Sequence, residues 1–566
     1  MRARRAALAG FGLAGLCFAG GRELLKEAAQ VVPLRVEVAT PGASAASASG
    51  LRWRGTVSPA ALAGRLVARA DGLPVPVVRD GGALTLALDG AGPGHHLIEL
   101  ALTQQGGRTQ TITDTVLVGP FADLSEGTAD EDRPCGLALT IAEGAIQRLL
   151  VPPLRERLLA AAQATPLLGP TTTLERAELI LLKDSLRVRV ALAGANRVAV
   201  DAYLQVAPSG PRGLALGLVW LGPVEFDGEI RTQATVGGAA VGAAVTGPLA
   251  PLGAIGGYVL ADRYVSKRAQ EEVRTQLRRG LEQVGALPLL PERAELLVGE
   301  PRSAVALGFC GPVTIAAGTG IAAQLWLRSL EPGLAAPGPV RRGVVLPQRA
   351  VPEDMSGSPA AVQLDLSIDV VNALLHAWTG NGLLAEQVSA AGWTAQVDRE
   401  LRAWTLLTLA GLRVERPPVL MAADQGAPGP EGDAWALSFG GLRLDLRGGE
   451  AAGAVVAAGR GWVTPRFDAE RGRLELGGRV DRLRITCVEG GTLAPCFGAL
   501  LELGEVEARL DALLAPGTGR MPGLDLRGLL RARTRGLRAD GLDVEALALA
   551  VPPEHPGVLR VTARLR

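Results

Sequence analysis

Aromatic residues make up only 3% of this 566-residue chain, and it contains four histidines in all. The first scarcity argues against rows of stacking platforms of the kind that hold single-stranded nucleic acid. The second argues against a Cys/His zinc site, the more so because none of the five cysteines falls in a C-x-x-C pair. An excess of either charge is also missing. With 58 Lys and Arg against 57 Asp and Glu, no basic surplus is available for phosphate contacts, so nucleic acid is not expected as a partner. Reactive motifs are absent too: there is no H-E-x-x-H, no P-loop and no EF-hand loop, and the nearest approach to a nucleophile elbow, Leu437-Ser438-Phe439-Gly440, lacks its first glycine. The G-x-G-x-x-A spacing of Gly318, Gly320 and Ala323 stands between two apolar runs without alternating βα units around it, which is hairpin material rather than a nucleotide fingerprint. No catalytic residue, metal or cofactor is expected, and the chain reads as a non-enzyme.

What is present is aliphatic. A hydrophobic content of 48% is enough to bury sizeable cores, and with 74 glycines those cores must be filled by Leu, Val, Ile and Ala. The length suggests three or four domains. The first residues, MRARR, lead into an uncharged stretch from Ala6 to Gly20, which fits a signal peptide or membrane anchor over 1–22. Cys17 would suit a lipoprotein signal, but Leu16 stands where a small residue is wanted. Export, to the periplasm or the outer membrane, is the expectation. Four cysteines then remain, and an even number in an exported chain suggests disulfides: Cys135 with Cys310, and Cys487 with Cys496 across a turn-rich segment, the other reading being free buried thiols.

Residues 31–120 read as a small all-β domain, with Leu84, Leu86 and Leu88 alternating and Ile98, Leu100 and Leu102 doing the same. The run from Gly92 to Val118 resembles the last strands of bacterial immunoglobulin-like domains, which implies a sandwich used as spacer or adhesion module. His95 and His96 read there as turn and strand residues. An acidic linker, 121–134, follows. Strand-like runs at Leu174–Leu182, Leu186–Leu192, Val198–Val206 and Leu214–Val219 are separated by hairpin chemistry and predict an antiparallel meander. Pro152 and Pro153 predict a break in the helix before it, with a second helical piece starting there. The uncharged segment between Arg231 and Asp262 reads as a buried or membrane-touching hairpin. A long amphipathic helix then runs from Tyr258, with Lys267, Glu271, Arg274 and Arg278 on its charged face. A Pro/Gly/Arg-rich linker covers 331–360. Beyond it, strands are expected around Trp404–Val414, Trp435–Leu446, Val455–Val463, Leu474–Ile485 and Leu542–Val551, with a helix over Phe497–Leu514.

Two stretches share one grammar. Leu364 and Leu366 alternate with polar neighbours, after which Val371, Leu374, Leu375 and Trp378 recur at helical spacing; Ser367 is a natural N-cap, Asp369 suits the first turn, and Gly380 is expected to supply the stop. Leu137, Leu139, Thr140 and Ile141 match Leu364, Leu366, Ser367 and Ile368 at a constant offset of 227 residues. That spacing is domain-sized and predicts an internal repeat, 135–330 and 361–566.

The segment LDLSIDVVNALLHAWTGNGLL resembles the opening of the C-terminal domain in the bactericidal/permeability-increasing protein and lipopolysaccharide-binding protein family, of the tubular lipid-binding superfamily. The matching positions are Leu366, Ser367, Asn372, Trp378, Gly382, Leu383 and Leu384, and the stretch Arg416-Pro417-Pro418-Val419-Leu420 is similar as well. The resemblance implies an α+β fold in which two similar units, each a twisted antiparallel sheet wrapped around a long helix, hold acyl chains in an apolar groove. The family's basic tip has no counterpart here, and the N-terminal immunoglobulin-like β-sandwich is not part of the family pattern. Lipid is the expected partner, with contact to a membrane surface. Candidate groove residues are Ile141, Ile146, Leu149, Leu150 and Leu154 in one half, and Val371, Leu374, Leu375 and Trp378 in the other. The alternative for each is plain core, and for the chain a structural or adhesion protein with closed repeat cores.

Overall fold

The computed structural model describes residues 35–39, 44–45, 51–89, 91–103, 109–119, 122–123, 135–163, 171–194, 196–209, 213–223, 225–228, 286–288, 294–296, 303–310, 313–316, 320–330, 344–345, 362–390, 393–404, 408–422, 435–448, 451–468, 473–488, 524–525, 544–553 and 555–565, with five further helical positions at 267, 271, 274, 275 and 278. The expected signal or anchor, the uncharged segment after Arg231, the helix over 497–514 and Cys496 lie outside these residues.

Among the described residues the N-terminal region holds nine strands: β1 (Arg35–Val38), β2 (Ser44–Ala45), β3 (Arg52–Ser58), β4 (Leu66–Ala70), β5 (Leu73–Pro74), β6 (Val77–Asp80), β7 (Ala83–Ala87), β8 (Gly94–Thr103) and β9 (Thr109–Val118). They form two sheets, in the orders β1-β3-β7-β6 and β2-β9-β8-β4-β5. Period-two alternation sends Trp53 and Val57 from one sheet, and Leu66, Ile98, Leu100 and Val116 from the other, into one core. Buried Trp53 bridges the sheets by donating its indole N–H to Asp114 at 2.9 Å.

Beyond a two-residue strand, β10 (Ala122–Asp123), the first strand-to-helix segment is β11 (Leu137–Ala142) running into α1 (Glu143–Gln163). Here the expected break does not occur: α1 is assigned as one helix straight through Pro152 and Pro153. Each proline interior to a helix costs about 3 kcal/mol, and tertiary packing offsets it, because Ile146 before the prolines and Leu158 and Ala162 after them are buried in the same core. That core is roofed by the expected meander: β12 (Thr173–Leu182), β13 (Ser185–Ala193), β14 (Asn196–Ser209) and β15 (Gly213–Leu221). The β12–β13 turn places Asp184 at φ 59, a left-handed position that Asp tolerates. Short strands β16 (Glu225–Gly228) and β17 (Ala286–Pro288) complete the sheet. Of the long amphipathic helix, only exposed charged-face positions are described, among them Lys267, Glu271, Arg274 and Arg278.

The chain then forms β18 (Ala294–Leu296), β19 (Ser303–Phe309), β20 (Thr314–Ala316) and β21 (Gly320–Ser329), the last two being the expected hairpin. A two-residue strand within the 331–360 linker, β22 (Val344–Val345), pairs with β10, so the two linkers meet. The second strand-to-helix segment is β23 (Val362–Ser367) running into α2 (Ile368–Gly380). Ser367 caps α2 by accepting from the Asp369 N–H at 3.2 Å, as expected. The stop is different: Gly380 is the last helical residue, and the left-handed conformation falls on Gly382, at φ 79. Two helices that the periodicity did not reveal follow, α3 (Leu383–Ala390) and α4 (Trp393–Trp404). Trp404 accordingly ends a helix rather than starting a strand.

A second six-stranded sheet is made of β24 (Thr408–Val414), β25 (Val419–Met421), β26 (Trp435–Gly448), β27 (Ala451–Asp468), β28 (Arg473–Val488) and β29 (Leu524–Asp525), and the chain closes with β30 (Val544–Ala550) and β31 (Val558–Leu565). The fold is thus α+β, built on several antiparallel sheets.

Candidate functional site: the central sheet and its apolar band

The two strand-to-helix segments meet at the middle of one eight-stranded sheet, in the order β18-β19-β21-β11-β23-β31-β30 with β20 beside β21. β11 and β23 pair antiparallel, Leu137 with Leu366 and Leu139 with Leu364, and Ala138 faces Asp365. Asp365 is also the position 227 residues beyond Ala138, so the register is centred on a residue and its own counterpart. Each entry strand is flanked on its other side by the strand that closes its half of the chain, β21 beside β11 and β31 beside β23. At Gly320, which opens β21, a Cβ would collide with the Ile141 carbonyl oxygen, so β11 and β21 can approach this closely only with glycine there.

The disulfide Cys135–Cys310, with Cα atoms 5.7 Å apart, ties the residues before β11 to the end of β19, as the cysteine count suggested. Cys487 lies in β28.

The central sheet has two unlike faces because successive side chains alternate. On β23, Val362, Leu364 and Leu366 point to one face, and Gln363, Asp365 and Ser367, all buried, to the other. Asp365 accepts from Arg560 Nε and Nη2, both at 3.0 Å, and from Gln363 Nε2 at 3.2 Å. This buried bidentate pair joins β23 to β31 on the polar face.

The apolar face carries α2. Leu374 and Trp378 are buried with Leu137, Leu139, Val305, Leu307, Leu325 and Val362, and α2 is held at a fixed distance from β25 because buried Asn372 pairs with Leu420 as a strand neighbour would. Its side chain donates to the Leu420 carbonyl at 2.9 Å and accepts from the Leu420 N–H at 2.8 Å. The two stretches that carry the family resemblance, around Asn372 and around Leu420, are therefore brought together by direct hydrogen bonds.

Three apolar clusters join end to end. Ile141 and Phe309 pack against both the cluster under the first meander and the cluster beneath α2. Leu364, Leu366 and Leu375 pack against both the latter and a third cluster, in which Ile368 of α2 joins Leu420, Trp435 and Val463 of the second sheet. An aliphatic band thus runs from the first six-stranded sheet, across the central sheet, to the second.

The expected groove residues fall on this band as follows. Ile146 is buried beneath the first meander, and Ile141 is half-buried at the junction. Leu374 and Trp378 are buried under α2, Leu375 is half-buried between two clusters, and Val371 is half-buried against the third. Leu149, Leu150 and Leu154 lie in α1, with side chains outside the described residues. One group was missed. His95, His96 and Glu99 of β8 are buried against Ser438, Arg460 and Arg484 of β26, β27 and β28. The available signal was Glu99 in the middle of an apolar run, since a buried carboxylate needs a cation.

Among the described residues no helix is long and apolar enough to cross a membrane, and no cluster of His, Cys, Asp or Glu could hold a metal ion.

No protein-family model matches the chain, and no curated protein matches it. Among solved structures, the crystal structure of lipopolysaccharide binding protein is similar over 76% of this chain and 98% of that one, at 12% identity and a TM-score of 0.25, too low for the likeness to carry any argument.

Proposed function

We propose that the chain binds or carries lipid, holding acyl chains along the apolar band without catalysing a reaction, and that it does so after export to the bacterial envelope. The finer architecture in this reading is an immunoglobulin-like sandwich followed by two similar units, 135–330 and 361–566, each a sheet wrapped around a helix. The continuity of the band through Ile141, Leu364, Leu366 and Leu375 is the observation that carries the proposal. Each methylene moved from water into such a band gains about 0.8 kcal/mol, so affinity requires no reactive group. A lining of Leu, Ile, Val and Ala fixes no headgroup geometry, and varied acyl chains are the expected ligands. The centring of the β11–β23 register on Ala138 and Asp365 supports a doubled unit. The Cys135–Cys310 bridge supports an oxidising compartment.

Native mass spectrometry of the gently purified protein tests the proposal. Co-purified phospholipid or another acylated lipid is the expected result; a bare polypeptide that also takes up no fluorescent phospholipid overturns it. The burial of Ile146, Leu374 and Trp378 in side-chain packing favours a second reading, an envelope protein with closed cores. The same experiment separates the two.

A further inference from the structure

The second sheet of the N-terminal sandwich lies directly against β26–β28, and the contact is both apolar and polar. Leu117 packs with Val419, Met421 and Ala436, and Leu97 with Val456 and Ala458. The approach is close enough that a Cβ on Gly440 would lie 2.5 Å from the Thr115 methyl and 3.1 Å from the His95 Cβ. Glu99 accepts from Arg484 Nε and Nη2 at 3.3 and 3.2 Å and from the Thr486 hydroxyl, and Arg416 donates to the Thr115 carbonyl at 3.1 Å. His95 sits at the centre. Its backbone N–H donates to Ser438 Oγ at 2.7 Å, and its Nδ1 lies 3.3 Å from the same hydroxyl.

We propose that this contact is an acid-sensitive clasp, in which the sandwich is docked on the second sheet while His95 is neutral and is released when the imidazole takes up a proton.

Hydrogen-bond polarity gives the first reason. Ser438 Oγ accepts the His95 N–H and can give its own hydrogen to Nδ1 of a neutral ring, whereas a protonated Nδ1 must donate to that oxygen as well, and the hydroxyl hydrogen of fully buried Ser438 then has to find another acceptor. The surrounding charges give the second. Arg416 approaches from the segment before β25 and Arg460 from β27, while His96 neighbours it on its own strand. The carboxylates nearby are engaged elsewhere: Asp71 with His96 at 2.7 Å, Glu99 with Arg484, and Asp114 with Trp53. An imidazolium would therefore be buried among cations. Burial, then Arg416 and His96, hold the docked His95 down to about 3, against 6.5 for a free imidazole. A base depressed in the docked state binds fewer protons there, so docking has its full strength above pH 6.5 and weakens as the pH falls from 6.5 toward 3. Between pH 7.5 and 5.0 the docking equilibrium is expected to fall about 30-fold from this group alone.

Hydrogen exchange read by mass spectrometry on the full chain at pH 7.5 and 5.0, corrected for intrinsic rates, tests the clasp. Protection is expected to drop by about 30-fold at the His95 amide, whose hydrogen bond to Ser438 crosses the contact, while β3 and β7 in the sandwich core keep theirs. His95→Gln, which stays neutral, is expected to remove the difference. Should that variant fail to dock at neutral pH, His95→Asn, which is also neutral, supplies the second test and is expected to lose the pH difference likewise. Equal protection of the wild-type His95 amide at both pH values, an undiminished drop in His95→Gln that docks at pH 7.5, or an undiminished drop in His95→Asn would each overturn the proposal.

Discussion

Removing Arg560 is expected to be among the most costly single changes to the central sheet, and the asymmetry with its partner can be worked out from burial. The Asp365 side chain is 2% exposed and that of Arg560 26%. In Arg560→Met the carboxylate loses both guanidinium bonds and keeps only the Gln363 amide. Leaving one member of a buried pair uncompensated costs about 3–5 kcal/mol. In Asp365→Leu the orphaned group is the guanidinium, which is a quarter exposed and can be rehydrated, so a smaller loss, about 1–3 kcal/mol, is expected. The double variant Asp365→Leu, Arg560→Met places two apolar side chains opposite each other in register and is expected to be more stable than Arg560→Met alone. Because a chain of several sheets need not unfold in one step, the assay is hydrogen exchange of β23 and β31 rather than a single melting curve. Equal losses in the two single variants, or a double variant no better than Arg560→Met, would refute the reasoning.

Other changes have expected outcomes of their own. Asn372→Ala leaves both polar groups of buried Leu420 without their side-chain partner and should cost about 2–4 kcal/mol, measured as exchange of the β25 amides; Asn372→Asp keeps the acceptor but turns a buried carboxylate oxygen toward the Leu420 carbonyl and should cost at least as much. Ser367→Ala removes the α2 cap for about 1 kcal/mol, readable in the thermal transition of the helix signal. Gly320→Ala should break the β11–β21 pairing at its first residues and lower expression of folded protein, because the obstacle is backbone. Reduction of Cys135–Cys310, or Cys310→Ser, should cost about 2–5 kcal/mol, seen as a lower denaturant midpoint.

Local chemistry was readable in the sequence to within a few residues. The four meander strands appear where alternation and turn residues put them, and Ser367 caps α2 as its position before an apolar helix suggested. Errors arose where tertiary packing overrode local preference. Pro152 and Pro153 sit inside a helix because residues on both sides share one core, and Gly380 remains helical because Gly382 can take the left-handed turn. Contacts between distant parts of the chain left almost no trace. Asn372 and Leu420 are 48 positions apart, and His95 and Ser438 are 343 apart, and no periodicity spans such distances. The pairing of β11 with β23 is intermediate: the offset of 227 revealed two equivalent strands, but only the register shows that they are neighbours. For the candidate lipid site, helical spacing identified Leu374, Leu375 and Trp378 as one apolar stripe, yet could not say that Ile141 joins that stripe to the core under the first meander.

The most direct measurement of the central claim is photocrosslinking with a phospholipid whose label sits near the end of an acyl chain, followed by peptide mapping of the labelled protein. Adducts are expected within residues 137–163 and 362–384, which carry Ile141, Ile146, Leu374 and Trp378. Labelling confined to exposed strands of the sandwich, or none above that of an unrelated protein, would contradict the account.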